Sequence, residues 1–159
     1  MNNGMTSIAL HWKVAQGTNL RQMNIDVGPG HTGIFVENGG GGLIADVAIT
    51  NGEYGIQIGG QQWMFRNLAV SGCRTMGVRI EWAWQFTFLG LSVQNTPVGL
   101  GGRIGDVAVV SLTLLDVTLG NTTAGIEAVF PSMTALVFDR AEADTRVSYY
   151  MKDHEYCLH

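Results

Sequence analysis

The chain has 159 residues, of which 46% are apolar and only 14% charged, with a net charge of −4. That is enough apolar material for one continuous core, while the lack of a Lys/Arg cluster excludes the electrostatic footprint of a nucleic-acid binder. Every apolar run is interrupted by Gly, Asn, Asp or Arg well short of the ~20 residues that a membrane-spanning helix needs, so membrane insertion is set aside as well.

In chain order, a first partial strand is expected at Ile8, Leu10 and Trp12, followed by coils at roughly 20–42, 43–64, 65–86 and 87–109. The reason is a repeat: Gly33, Gly55, Gly77 and Gly99 recur every 22 residues, each followed by an apolar stretch. Each is preceded by an alternating pair, Met23/Ile25, Val47/Ile49, Leu68/Val70 and Leu91/Val93. A fixed period in the low twenties, two short strands per repeat and no helical pattern describe a β-solenoid, in which each coil buries its inward side chains against its neighbours. A fifth, stretched coil carries Leu115, Val117 and Leu119, with Gly125 lying 26 residues after Gly99 and the extra residues expected in the loop from Gly101 to Asp106. Leu136, Val137 and Phe138 suggest a sixth half coil. The predicted fold is all-β, a parallel β-helix of about six coils over residues 1–140, with 141–159 an irregular tail, charged and aromatic at once.

Strand alternation points Val47 and Ile49 inward and Ala48 and Thr50 outward. The aligned glycines are expected to take positive φ at sharp corners, and Asn51, Asn95 and Asn121 to hydrogen-bond from coil to coil. Gly39 to Gly42 read as a loop between coils, without the strand, helix and lysine of a phosphate cradle. Cys73 and Cys157 lack C-x-x-C spacing and read as free thiols. His31, in GPGHTG, reads as a surface or capping residue. With His11 in a first strand and His154 and His159 in the tail, no three-ligand metal set forms, and the acids do not cluster as calcium would require. No metal and no cofactor are expected. The N-terminal MNNGMTSIALHWKV carries no secretory signal pattern.

Two neighbouring stretches carry the candidate chemistry, QQWMFRN and, one coil later, EWAWQF. Gln62, Glu81, Trp82, Trp84 and Gln85 can line one edge of the cylinder. Alternation puts the two tryptophans on the same side, where their faces suit sugar rings while amides and carboxylates suit hydroxyls. Packing in the core or loops is the competing reading. Glu81 is the candidate catalytic carboxylate, but inverting glycoside hydrolysis needs two carboxyl groups about 6.5–9.5 Å apart. Glu53 lies on an adjacent coil at a different corner, and Glu37, Asp46, Asp106, Asp116 and Glu127 read as residues of solvated turns.

The segments IALHWKVAQGTNLRQMNI, GIFVENGGGGLIADVAITNGEYGIQIGGQQWMFRNLAVSGCRT and EWAWQFTFLGLSVQNTPVGL, with their motifs HWxVAQ, ENGxGG, GGQQWxxRN and WxW, resemble the N-terminal β-helix of glycoside hydrolase family 55, the β-1,3-glucanases. The resemblance implies a right-handed parallel β-helix of the pectate-lyase-like superfamily, in a secreted enzyme that pairs two such helices and hydrolyses β-1,3-glucan with inversion at their junction. It places the pocket glutamine on Gln62 and the flanking polar contacts on Glu81 and Gln85, although Glu81 stands where the family usually has Asn or Tyr. The family's general acid lies on the second helix. The expectation is therefore a fragment that contributes pocket residues without the acid, partnered by polysaccharide and by a second β-helix or another copy of itself. A non-catalytic glycan-binding or structural β-helix is the alternative, and an autonomous hydrolase using Glu81 a third.

Overall fold

The computed structural model describes residues 7–102, 109–130, 135–143, 147–151 and 154–158. Its strands are β1 (Ile8–Trp12), β2 (Thr18–Val27), β3 (Thr32–Asn51), β4 (Tyr54–Ser71), β5 (Met76–Gln94), β6 (Val98–Gly102), β7 (Val109–Gly120), β8 (Ala124–Phe130), β9 (Ala135–Ala143), β10 (Val147–Met151) and β11 (His154–Leu158). All pair in parallel except β10 with β11. The result is a parallel β-solenoid of about five turns spaced about 23 residues apart. One column holds six rungs, running from β2 through β3, β4, β5 and β7 to β9.

Strands as long as β3, β4 and β5 are continuous only by pairing, because the backbone turns corners inside them. Gln22, Asp46, Asn67, Gly90, Asp116 and Arg140 take positive φ, between 50° and 72° for the set. Each directly follows one of the stacked residues Arg21, Ala45, Arg66, Leu89, Leu115 and Asp139. Left-handed conformation suits Gly, Asn and Asp, which explains most of the column. This bend cuts out a third short strand per coil, Leu43–Ala45 in β3, between the two that periodicity alone reveals. A second column of left-handed residues, Asn51, Gly72, Asn95 and Asn121, turns the next corner.

The core is a set of stacked inward columns. Leu20, Ile44, Phe65, Phe88 and Leu114 form one, Ile34, Ile56, Val78, Leu100 and Ile126 another, and all are buried. Phe65 and Phe88 stack with ring centres 4.4 Å apart. Val47 and Ile49 face inward as alternation requires, and Thr50 is exposed.

Gly33, Gly55, Gly77 and Gly99 do not take positive φ. They sit inside strands, where an added Cβ would come within 2.5 to 2.8 Å of the carbonyl oxygen of the next glycine in the series, ending on Gly125. The 22-residue signal is therefore one of close approach between coils rather than of corner geometry. The asparagine ladder is partial. Asn121 Nδ2 donates to Asn95 Oδ1 at 2.6 Å and Asn51 Nδ2 to Asp26 Oδ1 at 2.6 Å. Gly72 stands between Asn51 and Asn95 and breaks the run.

The stretched loop lies partly outside the described residues, as do Asp106 and His159. In place of an irregular tail, β10 adds in parallel to β8, and β11 folds back antiparallel on β10. An open last coil presents unpaired backbone groups that template another strand, and an antiparallel partner ends the parallel stack. Among the described residues, no helix is long and apolar enough to cross a membrane and no three His, Cys, Asp or Glu gather as a metal site.

Candidate functional site

The corner that follows the first strand segment of β4 and β5 carries the Trp and Gln residues. A register shift between Ile58 and Gly59 sets Gly59 opposite Trp82, Gly60 opposite Ala83 and Gln62 opposite Gln85. Gln62 and Gln85 are both exposed, and the row continues to Ser111 on the next coil. All five candidate residues therefore fall on two adjacent coils around one corner.

Their environments differ. Trp84 is 52% exposed, the most open of the large apolar side chains among the described residues. Trp82 is half-buried, lying so close over Gly59 that a Cβ there would fall 2.5 Å from its Nε1. Its ring covers bare backbone, which is the packing role weighed against the platform role. Trp63, one coil earlier, is buried among Gly39, Gly42 and Gly60, whose missing side chains make room for the indole. The glycine run after Glu37 thus forms a seat for Trp63. This use was not apparent from the run itself.

Glu81 is held by its neighbours. Its Oε1 accepts from Gln57 Nε2 at 2.8 Å and pairs with Arg79 Nε at 2.9 Å, with only 17% of the Glu81 and 22% of the Arg79 side chain exposed. The Arg79 guanidinium in turn sits 4.8 Å from the centre of the Tyr54 ring, a cation–π contact. Gln57 and Arg79 hold the candidate carboxylate and Tyr54 backs Arg79, and sequence reasoning passed over all three. The clue was register: Gln57 and Arg79 are 22 residues apart, the coil period itself.

Glu37 occupies the same corner two coils before Glu81, following Val36 as Glu81 follows Ile80, with Gly59 between them. Two rungs correspond to about 10 Å. Glu37 is bound by His11 Nε2 at 2.8 Å and Lys13 Nζ at 3.4 Å. The His11 hydrogen bond, with Lys13 adding to it, holds its carboxyl below the ordinary glutamate range. That is the setting of a fixed anion and not of a proton donor. Glu53 lies at another corner, bonded to Thr75 Oγ1. His31 accepts the Ser7 backbone N–H at Nδ1, 3.0 Å, and serves as a tie between the first turn and β1. Asp46 and Asp116 are exposed and bridged to Arg66 and Arg140. The arrangement can present an indole face and two amides to a ligand, beside carboxylates committed to neighbouring cations.

Comparison with known proteins gives this geometry a lineage. The family described as rhamnogalacturonase A/epimerase, pectate lyase-like, matches residues 1–101. The chain is 34% identical over 129 residues to a probable glucan endo-1,3-beta-glucosidase of Arthroderma benhamiae, covering 76% of this chain and 15% of that protein. It is 35% identical over 121 residues to a glucan 1,3-beta-glucosidase of Cochliobolus carbonum, covering 71% of this chain and 15% of the relative. A protein named non-secreted LysM effector LysM19, from Penicillium expansum, is 34% identical over 131 residues, 74% of this chain and 10% of its own length. The chain therefore spans only a small part of each of these relatives. Because the family match takes in well over half of the coils just described, the chain belongs to the pectate-lyase-like family of parallel β-helices.

Proposed function

We propose that this chain forms one wall of a β-1,3-glucan site, with Trp84 as the platform for a sugar ring and Gln62 and Gln85 as hydrogen-bonding partners of its hydroxyls. The observation that carries the reading is Trp84 itself, a large apolar ring left 52% exposed beside two exposed amides in register. Exposed aromatic faces flanked by amides suit pyranose rings, whose C–H faces stack while their hydroxyls bond outward. Relatives named as glucan glucosidases support the substrate class.

In this reading hydrolysis needs neither metal nor cofactor, but it does need a general acid. Glu81 and Glu37 are tied to cations, so the acid comes from another β-helix, in a second domain or a second copy. The protein works outside the cell, where such glucan is found. Titrating laminari-oligosaccharides against tryptophan fluorescence, alongside reducing-sugar release from laminarin, tests it. A saturable change that Trp84→Ala abolishes, without hydrolysis, is the expected result. Hydrolysis lost in Glu81→Gln would instead establish an autonomous active site, and silence in both assays would remove the glucan reading.

A second reading, a non-catalytic glycan-binding β-helix, is favoured by the same engagement of Glu37 and Glu81. It is distinguished by adding a complementary β-helix from a glucanase. Gain of laminarin hydrolysis supports the shared site, and unchanged binding with no gain supports the module.

A further inference from the structure

Another corner of the cylinder, the one turned by Asn51 and Gly72, carries a recess that the Trp84 edge does not use. It is lined by Asp26, Val27, Gly28, Pro29, Asn51, Gly52, Gly72 and Arg74 and has a volume of about 520 Å³.

Unequal turns create it. Val27 pairs with Asn51 and Thr32 with Tyr54, so the turn from Gly28 to His31 has two more residues than its equivalent, Gly52–Glu53. Thr50 pairs with Ser71 and Tyr54 with Met76, so the turn of the third coil, ending at Thr75, is one residue longer than that of the second. A short turn thus lies between two longer ones. The outer turns are two rungs apart, about 10 Å centre to centre. Backbone bonds fix both walls to the floor: Glu53 N donates to His31 O at 2.7 Å and Arg74 N to Gly52 O at 2.9 Å.

The polar groups of the recess are unevenly satisfied. Thr50 Oγ1 and Asn51 Nδ2 both donate to Asp26 Oδ1, at 3.1 and 2.6 Å, and Oδ2 takes part in neither bond. An ionised carboxylate offers about four acceptor positions, so about two remain. Across the floor, the exposed Arg74 side chain forms no ion pair and no hydrogen bond among the described residues. This sets it apart from Arg66, Arg79 and Arg140, which are each paired to an acid.

We infer that this recess is a second binding site, for a sugar acid whose carboxylate pairs with the Arg74 guanidinium and whose hydroxyls donate to Asp26 Oδ2. A free guanidinium fork matches a carboxylate in two parallel bonds. A carboxylate held rigid by Thr50 and Asn51 is a preorganised acceptor for adjacent hydroxyls. Gly28, Gly52 and Gly72 leave the backbone bare, and Pro29 adds an apolar surface to one wall. The site is independent of the glucan reading, since it shares no residue with the Trp84 edge.

The test is a titration of the purified chain with D-glucuronate and, separately, with glucose, followed by the NMR shift of the Arg74 side-chain N–H and by calorimetry. Saturable millimolar binding of glucuronate, weakened about tenfold or more by Arg74→Gln and absent for glucose, is expected. Asp26→Asn keeps an oxygen for Thr50 and Asn51 but removes the second acceptor, so it should weaken glucuronate while leaving the urea midpoint near that of the parent. Trp84→Ala should change nothing here. Equal affinity for glucose and glucuronate, binding indifferent to Arg74→Gln, or no saturation would each overturn the inference. Arg74 is exposed, so loss of binding in its variant is not explained by misfolding.

Discussion

A Cβ built on Gly55 would lie 2.7 Å from the carbonyl oxygen of Gly77, one coil away, and 2.4 Å from Cγ1 of Val70. Neither neighbour can withdraw, because the carbonyl belongs to the strand backbone and Val70 is core. Gly55→Ala should therefore destabilise the chain by about 1–3 kcal/mol or more through overpacking. Gly30→Ala is the matched control. Gly30 has φ of +78° but open space around its Cβ position, so only the backbone cost of about 1 kcal/mol applies. Urea midpoints of the two variants check the order.

Trp63 and Trp84 are the same residue type in opposite settings, 2% and 52% exposed. Trp63→Ala should cost about 3–5 kcal/mol, because it empties a seat shaped by three glycines and removes the ring stacked on Phe65. Trp84→Ala should shift stability by about 0.5 kcal/mol or less while removing the part of the fluorescence most accessible to acrylamide. Equal stability losses in the two variants would show that Trp84 is a packing residue and would withdraw its platform role.

The coil period was legible because the inward columns repeat it with the same residue types, as in Ile34, Ile56, Val78 and Leu100. The middle strand segment was not, since Leu20, Ile44, Phe65, Phe88 and Leu114 mark it at spacings of 24, 21, 23 and 26 residues that blur the 22-residue signal. Its bend is written in Asp46 and Asn67, which read equally well as surface polar residues. At the candidate site, position on the chain revealed which residues share a corner, but not what holds them. The seating of Trp63 and Trp82 over glycines of the neighbouring coils goes with register shifts at Val36/Gly39 and Ile58/Gly59, which no periodicity predicts. The recess at Arg74 depends on a difference in turn length, visible only once the strands are paired.

Asn67 combines a left-handed backbone with a hydrogen bond from Nδ2 to Asp46 Oδ1 at 2.8 Å. Asn67→Gly should lose the bond but keep the backbone, as Gly90 does on the next coil. Asn67→Ala should lose both and be the less stable by about 1 kcal/mol. The Asn67 bond, helped by Arg66, holds Asp46 below the ordinary aspartate value of 3.8. A depressed carboxylate contributes stability that is present above its unfolded value and lost as pH falls through the folded one. The Asn67→Ala penalty should therefore shrink below about pH 4. Unfolding curves at pH 7 and pH 3 measure this, and a penalty independent of pH would leave the backbone as its sole source.

Cys73 is buried and donates from Sγ to the Asn51 carbonyl at 3.2 Å, and no cation among the described residues lowers its thiol. Burial pushes its thiol up to about 11, the Glu53 charge adds to the shift, and a hydrogen bond with Thr96 opposes it. The folded state thus keeps a proton that the unfolded chain releases near the ordinary value of 9.0. Stability tied to this group is complete below pH 9 and is lost as pH rises from there through about 11. Two results should follow. Relative to Cys73→Ala, the parent chain should lose stability between those two pH values. At pH 8 a thiol-specific reagent, with the modified peptide located by mass spectrometry, should label Cys73 slowly in the native chain and at an ordinary thiol rate in urea, because the reactive species is the thiolate. Native labelling as fast as in urea would mean that the corner carrying Cys73 opens readily. It would also predict a weaker hold of Arg74 on the recess beside it.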